Sequence, residues 1–317
     1  MTSAKYLVTG GAGFIGSHIA ESLLEAGGTV RLFDNFATGR ETNLLALKGQ
    51  AEFLHGDLRK VEDVKAAVKG VEVIFHQGAL ASVPRSIADP VTSLETNING
   101  TQNVLLAARD AGVRRVVYAS SSSVYGNTPA LPKHEEMPTN PMSPYAVQKL
   151  TGELLCGVFT RIYKLETVAL RYFNVFGPRQ DPASEYAAVI PRFLMALIEG
   201  RRPVVFGDGE QTRDFTYIAN VVQANLLAAT APDAIGYAIN VGCGVQISLN
   251  AMLRIAGEIL GVAVDAEYRE PRQGDVHDSL ADISRAQRLL GYQPAIDFRE
   301  GLGRTIEAFA VAQQSRY

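Results

Sequence analysis

Two residues invite a chemical reading first. In the stretch "SPYAVQK", Tyr145 and Lys149 stand four residues apart behind Ser143 and Pro144. Serine suits an N-cap and proline the first helical position. A helix starting there places Tyr145 and Lys149 on one face. A phenol beside an ammonium can be acidified from its ordinary value near ~10, and a proton carrier works best when its pKa lies near the working pH. Taken alone, such a pair is ordinary surface decoration. A second stretch, "YASSSSVYG", runs out of an apolar segment into Ser120, Ser121, Ser122 and Ser123. Serines at a strand end supply hydroxyls with little bulk, or form a plain turn. Tyr145 lies 24 residues after Ser121.

These groups need elements to bring them together. Short apolar runs alternate with helical stretches: "KYLVTG", "GFIGSHIAESLLEAGG", "TVRLFD", "AEFLHGD", "VEDVKAAVKG", "VEVIFHQGA", a long helix from about Pro90, "VRRVVYASS", the "SPYAVQK" helix and "LETVALRYFNVFG". Mostly apolar strands between helices predict a parallel sheet buried on both faces. The expected fold class is therefore α/β, a doubly wound parallel sheet of the Rossmann type, with ligands at the carboxyl ends of its strands. After Gly177 the rhythm changes to short elements joined by loops, which predicts a smaller α/β substrate-binding domain. "GYAINVG", Gly236 to Gly242, reads as a strand returning to the main sheet. The expected division is 1–175 plus about 218–242 for the first domain, and about 176–217 plus 243–317 for the second.

"VTGGAGFIGSHIAESLLEAG" follows the first strand directly. Gly11, Gly13 and Gly16 match G-x-G-x-x-G, and Gly10, Gly13 and Gly16 match the wider G-x-x-G-x-x-G. Glycines allow a tight turn and a close approach to a pyrophosphate, which would rest on the free N–H groups of the helix start. Asp34 ends the second strand, 18 residues after Gly16. A carboxylate there accepts from ribose hydroxyls and repels a 2′-phosphate, favouring NAD over NADP, although Arg40 nearby softens that preference. Asp57 in "GDL" could meet the adenine amino group or serve only in a turn.

The 317 residues suffice for one or two domains, and the net charge of −3 gives no general reason to expect nucleic acid or an acidic membrane surface as partner. No apolar run approaches the ~20 residues that span a bilayer. The N-terminus enters a strand without a signal-like apolar stretch and reads as mature protein. Two cysteines, Cys156 and Cys243, are too few for a disulfide framework or a zinc site, so no metal is expected and free thiols in a reducing cytoplasm are.

The set "GGAGFIG", Asp34, "SSSSVYG" and "YAVQK" resembles the extended short-chain dehydrogenases/reductases, and within them the UDP-glucose/UDP-N-acetylglucosamine 4-epimerase family, over essentially the whole chain. The resemblance implies Tyr145 as base, Lys149 holding the nicotinamide ribose, and Ser121 as the catalytic serine. It implies NAD along Gly10, Gly13, Phe14, Ile15 and Gly16, then Asp34, Asn35, Thr38 and Gly39, then Asp57 and Leu58. It adds Gln77, Gly78, Ala79 and Ala81 from "HQGALAS", Asn97 from "ETNINGT", Ser120, and Phe173 and Val175 near the nicotinamide. For the substrate it implies Ser82, Ser122 and Ser123 with Ser121 and Tyr145 around the sugar, and Asn174 at the diphosphate. Val189, Val204 and Phe206 would pack on uracil, and Arg213, Arg272 and Asp275 complete the nucleotide end. Ser279 stands at the position gating the sugar's 2-substituent, where a small residue leaves room for an N-acetyl group.

The implied activity is NAD-dependent interconversion of UDP-GlcNAc with UDP-GalNAc, and of UDP-Glc with UDP-Gal, through a 4-keto sugar. UDP-glucuronate 4-epimerases share an all-serine segment and stay open as an alternative. Dehydratases and decarboxylases of the family carry acidic residues at the serine strand, where this chain has Ser123. A net dehydrogenase and a non-catalytic NAD-binding protein are weaker alternatives, since Ser121, Tyr145 and Lys149 are all present. The helices near 90–112 and 143–162 correspond to those that pair in the family's homodimer.

Overall fold

The computed structural model describes residues 5–182, 188–271 and 277–314. Six strands of the main sheet are β1 (Lys5–Thr9), β2 (Thr29–Asp34), β3 (Glu52–His55), β4 (Val73–His76), β5 (Arg115–Ser121) and β6 (Glu166–Tyr172). The segment Ala238–Val241 is the seventh, and the spatial order is Ala238–Val241, β6, β5, β4, β1, β2, β3. Every pairing in this sheet is parallel. The order turns back between β1 and β4, and such a switch point is where a doubly wound sheet opens a crevice for ligands. Registers bring the carboxyl ends level there, with Thr9 opposite both Phe33 and His76.

The apolar runs are explained by burial on both faces. Leu7 and Val8 are fully buried, yet they join different cores on opposite sides of β1. Each such side chain contributes roughly 1.5–3 kcal/mol when withdrawn from water. The helices around the sheet include α1 (Phe14–Glu25), α2 (Val61–Val68), α3 (Val83–Ala88), α4 (Pro90–Leu94), α5 (Gly100–Asp110) and α6 (Pro144–Tyr163). The helix expected from Pro90 is not uniform, because a π-turn at Glu95–Asn99 joins α4 to α5. Such a turn re-aims a side chain, and here it carries buried Asn97.

Beyond β6 the chain builds a second body from the helix Val189–Ile198, the paired strands Val204–Phe206 and Glu267–Arg269, and the helices Leu249–Leu260 and Phe298–Gln314. Phe193, Phe215, Met252 and Leu302 share one continuous core with Val8 and Ile19. The helix Ile218–Ala228 then leads back to Ala238–Val241, which pairs with β6. Among the described residues, no helix is long and apolar enough to cross a membrane.

Candidate active site

α6 begins as its sequence dictates: Ser143 Oγ accepts from Ala146 N at 3.1 Å and Pro144 occupies the first position. The Tyr145 N–H donates to Ser86 Oγ at 3.1 Å, tying the helix start to α3. Lys149 is buried, and its Nζ donates to Ala119 O at 2.7 Å. The same Nζ lies 5.8 Å from the Tyr145 ring centroid. The Ser121 hydroxyl lies close enough to the Tyr145 phenol to oppose its rise, so the three residues meet at the end of β5.

The charge state differs from the expectation that Lys149 acidifies Tyr145. Burial pushes the phenol up to about 12, and the Ser121 hydroxyl only partly opposes it. The ammonium points at a backbone carbonyl of β5 rather than at the phenol, and burial brings Lys149 down to about 8. The protein's own groups thus keep Tyr145 protonated.

The cofactor cleft lies beneath α1. Gly10, Gly13, Phe14, Ile15 and Gly16 line a cavity of about 310 Å³ with Asp34, Asn35, Thr38, Asp57, Leu58, Gln77, Gly78, Ala79 and Ala81. A Cβ on Gly10 would lie 2.8 Å from Gly78 Cα, so the turn and the β4 end pack backbone to backbone. Gly13 caps a helix with no acidic residue in its first turn, which suits an anion. Asp34 accepts from Ala12 N at 3.0 Å and Phe36 N at 2.8 Å, leaving lone pairs for ribose hydroxyls. Gly39 packs against it, since a Cβ there would meet Asp34 Oδ1 at 2.9 Å. Arg40 pairs with Asp181 at 3.2 Å. These residues fit a dinucleotide lacking a 2′-phosphate.

Asp57 is bound by Arg59 and by Asn35 at 3.3 Å, and the Arg59 bond holds its carboxyl down at about 2. Asn97 acts through other residues. Its Oδ1 accepts from Leu80 N at 2.8 Å, and its Nδ2 donates to Gln148 Oε1 at 2.7 Å, which also accepts from Ser93 Oγ at 2.8 Å. The Gly78–Ser82 loop, the π-turn and α6 are thereby one unit. Ser82 caps α3 by accepting from Arg85 N.

The cleft expected to take the substrate, about 430 Å³, gathers Asn174, Val175, Val189, Val204, Phe206 and Arg213 from four separate segments. Asn174 Nδ2 donates to Asp214 O at 3.2 Å and to Ser279 Oγ at 3.3 Å, so Asn174 and Ser279 adjoin. Ser122 is half-buried, and Ser123 Oγ is buried without a partner among the described residues. Arg272 and Asp275 lie outside the described residues.

The Phe173 ring is fully buried with Val124, Tyr125 and Ala281. Val175 lines the same cleft as Asn174. Sequence reasoning missed Gln180 and Gln211, whose Oε1 atoms are buried in the substrate cleft region without partners among the described residues. It also missed Gln148, Ser86 and Ser93, which carried no motif; Gln148 stood inside "YAVQK" as a filler.

The model of the NAD dependent epimerase/dehydratase family matches residues 6–242, most of the chain. The chain belongs to the NAD dependent epimerase/dehydratase family. This membership makes it an NAD-using enzyme, and the UDP-sugar 4-epimerases among its relatives are isomerases. It is 40% identical over 312 residues to a UDP-glucose 4-epimerase of Mycolicibacterium smegmatis, covering 96% of this chain and 98% of that one. It is 36% identical over 314 residues to a UDP-glucuronate 4-epimerase of Thermodesulfobacterium geofontis, covering 95% and 94%. Among solved structures it resembles the UDP-N-acetylglucosamine 4-epimerase of Methanobrevibacter ruminantium M1 in complex with UDP-N-acetylmuramic acid, at a TM-score of 0.93 and 39% identity, covering 99% of this chain and 100% of that one. The family members thus named share the 4-epimerase reaction and differ in the sugar.

Proposed function

We propose that the protein interconverts UDP-GlcNAc with UDP-GalNAc, and UDP-Glc with UDP-Gal, by epimerisation at C4. The observation that carries the choice of sugar is the Asn174–Ser279 hydrogen bond at 3.3 Å, which sets a small side chain beside the residue expected to hold the diphosphate. Bound NAD supplies the hydride acceptor at C4 and a positive charge that lowers the nearby phenol. Tyr145 Oη takes the 4-hydroxyl proton and returns it, with Ser121 as relay. Lys149, anchored on Ala119 O, holds the ribose. Asn174 and the cleft around Val204, Phe206 and Arg213 keep the nucleotide fixed while the 4-keto sugar turns over.

The test incubates purified protein, without added NAD, with UDP-GalNAc, UDP-Gal and UDP-GlcUA separately. Turnover of the first two is expected. Preference for the glucuronate would transfer the reading to that sugar, which the Thermodesulfobacterium geofontis relative bears in its name. Tyr145→Phe should lose about 10²–10⁴-fold in kcat, the share of a general acid–base. A near wild-type rate would sink the mechanism.

The same reading includes a homodimer in the cytoplasm. Ile87 and Val91 on α3 and α4, and Leu154 and Ile162 on α6, are 62–66% exposed. Apolar faces of this kind mark contact surfaces. A monomer mass by light scattering would contradict the dimer. Cys156 and Cys243 are both free thiols, as a reducing compartment permits.

A further inference from the structure

Behind the strand end that carries Ser121 runs a buried chain of polar groups without a part in the scheme above. Glu153 follows Lys149 by one helical turn, and its side chain is 6% exposed. Its Oε1 accepts from Ser120 Oγ and from Arg171 Nε at 2.9 Å, and its Oε2 accepts from Arg171 Nη2 at 2.7 Å. Arg171 on β6 reaches on to the Tyr125 hydroxyl at 2.9 Å, which donates to Asn240 Oδ1 at 2.7 Å. Three elements, α6, β5 and β6, meet at one carboxylate, and Arg171 carries the link through Tyr125 to Ala238–Val241. A buried ion pair is a poor device for stability, because apolar residues of similar volume often hold as well or better. Its place one turn from Lys149 and one residue from Ser121 points to another use.

We propose that Glu153 is a positioning residue for the proton transfer at Tyr145: its carboxylate fixes Ser120, and so the neighbouring Ser121, and its charge keeps Lys149 an ammonium. The proposal rests on the epimerase reading for its kinetic consequence only.

The groups facing Lys149 leave this role to Glu153. Tyr118 on β5 has its ring centroid 5.2 Å from Nζ, and burial keeps it a phenol. Tyr145 on the same helix is likewise a phenol. His76 on β4 sits between Thr9 Oγ1 at 2.7 Å and Thr101 Oγ1 at 3.0 Å, and burial holds it neutral by lowering it to about 3. Cys156, one turn beyond Glu153, is pushed up to about 12 by burial and stays a thiol. Glu153 alone among these is an anion opposing the burial that pulls Lys149 down. Arg171 shares that carboxylate, so Lys149 feels an incompletely neutralised charge.

The experiment titrates Lys149 in the full-length protein as purified, by NMR of ε-13C-labelled lysine, with Lys149→Met identifying the resonance. It compares wild type, Glu153→Gln, and Glu153→Gln/Arg171→Gln, which strands no buried charge and carries the comparison if the single variant fails to fold. The Lys149 midpoint should fall by about one pH unit in Glu153→Gln, the scale at which a nearby opposite charge acts, and by less, though still measurably, in the double variant, which also removes the Arg171 cation. The alkaline limb of kcat against pH for UDP-sugar turnover should move down with the midpoint, with KM changed by less than about twofold. Glu153→Asp, which keeps the charge, should restore most of the limb. An unmoved midpoint in a folded variant overturns the proposal. So does a double variant with the wild-type midpoint and limb, since Glu153 would then merely balance Arg171. If wild type turns over no UDP-sugar, the functional reading fails while the Lys149 midpoint still decides on Glu153.

Discussion

Replacing Gly16 with alanine adds one methyl group to the third residue of α1. Two effects then compete. Alanine favours a helix over glycine by about 1 kcal/mol. Against that, the new Cβ would press on the Gly10 carbonyl oxygen and lie 2.9 Å from its carbon and 3.2 Å from Gly11 Cα. Carbon atoms prefer about 3.5–4.0 Å, and every obstructing atom is backbone, so no side chain can swing aside. Overpacking of this kind costs about 1–3 kcal/mol. The cost wins, and the turn opens where the pyrophosphate should rest. Net of the helical gain, up to about 2 kcal/mol remains, which expressed as cofactor affinity is about 30-fold. Gly303→Ala is the internal control: it too is helical, and a Cβ there would meet nothing within 4 Å. It should keep the helical gain and lose nothing. The assay is thermal unfolding of each protein as purified, together with NAD released on denaturation. Gly16→Ala should melt several degrees low, at about 2 °C per kcal/mol for a chain of this size, and release less NAD. Gly303→Ala should melt at or above wild type. A Gly16→Ala protein with full NAD content and an unchanged melting point would refute the backbone-contact argument.

Two further outcomes follow from the site. Ser279→Tyr fills the space beside Asn174 and should cut UDP-GalNAc turnover by about tenfold or more while sparing UDP-Gal; equal losses on both would reject the gate. His76 is held near 3 by burial, below the ~6.5 of an unfolded histidine. The unfolded chain therefore binds more protons, so stability present above pH ~6.5 is lost as pH falls, by up to ~1.4 kcal/mol per unit. The melting temperature should drop between pH 6.5 and 4.5, and His76→Gln should flatten that slope; parallel slopes would contradict the assignment.

The main architecture was legible because its causes are local. Apolar runs of strand length, a glycine turn between strand and helix, and a serine–proline helix start each state their geometry within a few residues. Tyr145, Lys149 and Ser121 could be brought together on that basis. The direction of the Tyr145 shift could not, since it follows from burial of the phenol in the assembled fold, while Lys149 turns to Ala119 O, a partner no spacing reveals. Asn97 was singled out as a neighbour of the cofactor, whereas its visible bonds lock Leu80 to Gln148. Glu153 sat at helical spacing from Lys149, but its partner Arg171 arrives from another strand, and only the assembled sheet discloses the pair.

The clamp of Asn97, Gln148 and Ser93 has a consequence for how such an enzyme can change over generations. It makes the proton-moving helix and the cofactor loop a stiff chassis, built almost wholly before residue 174. Most of the surfaces expected to meet the nucleotide come afterwards, on segments that share a core with the chassis. Mutation can therefore reshape the cleft around Asn174 and Ser279 without detuning the chemistry, and new sugar preferences become reachable in single steps.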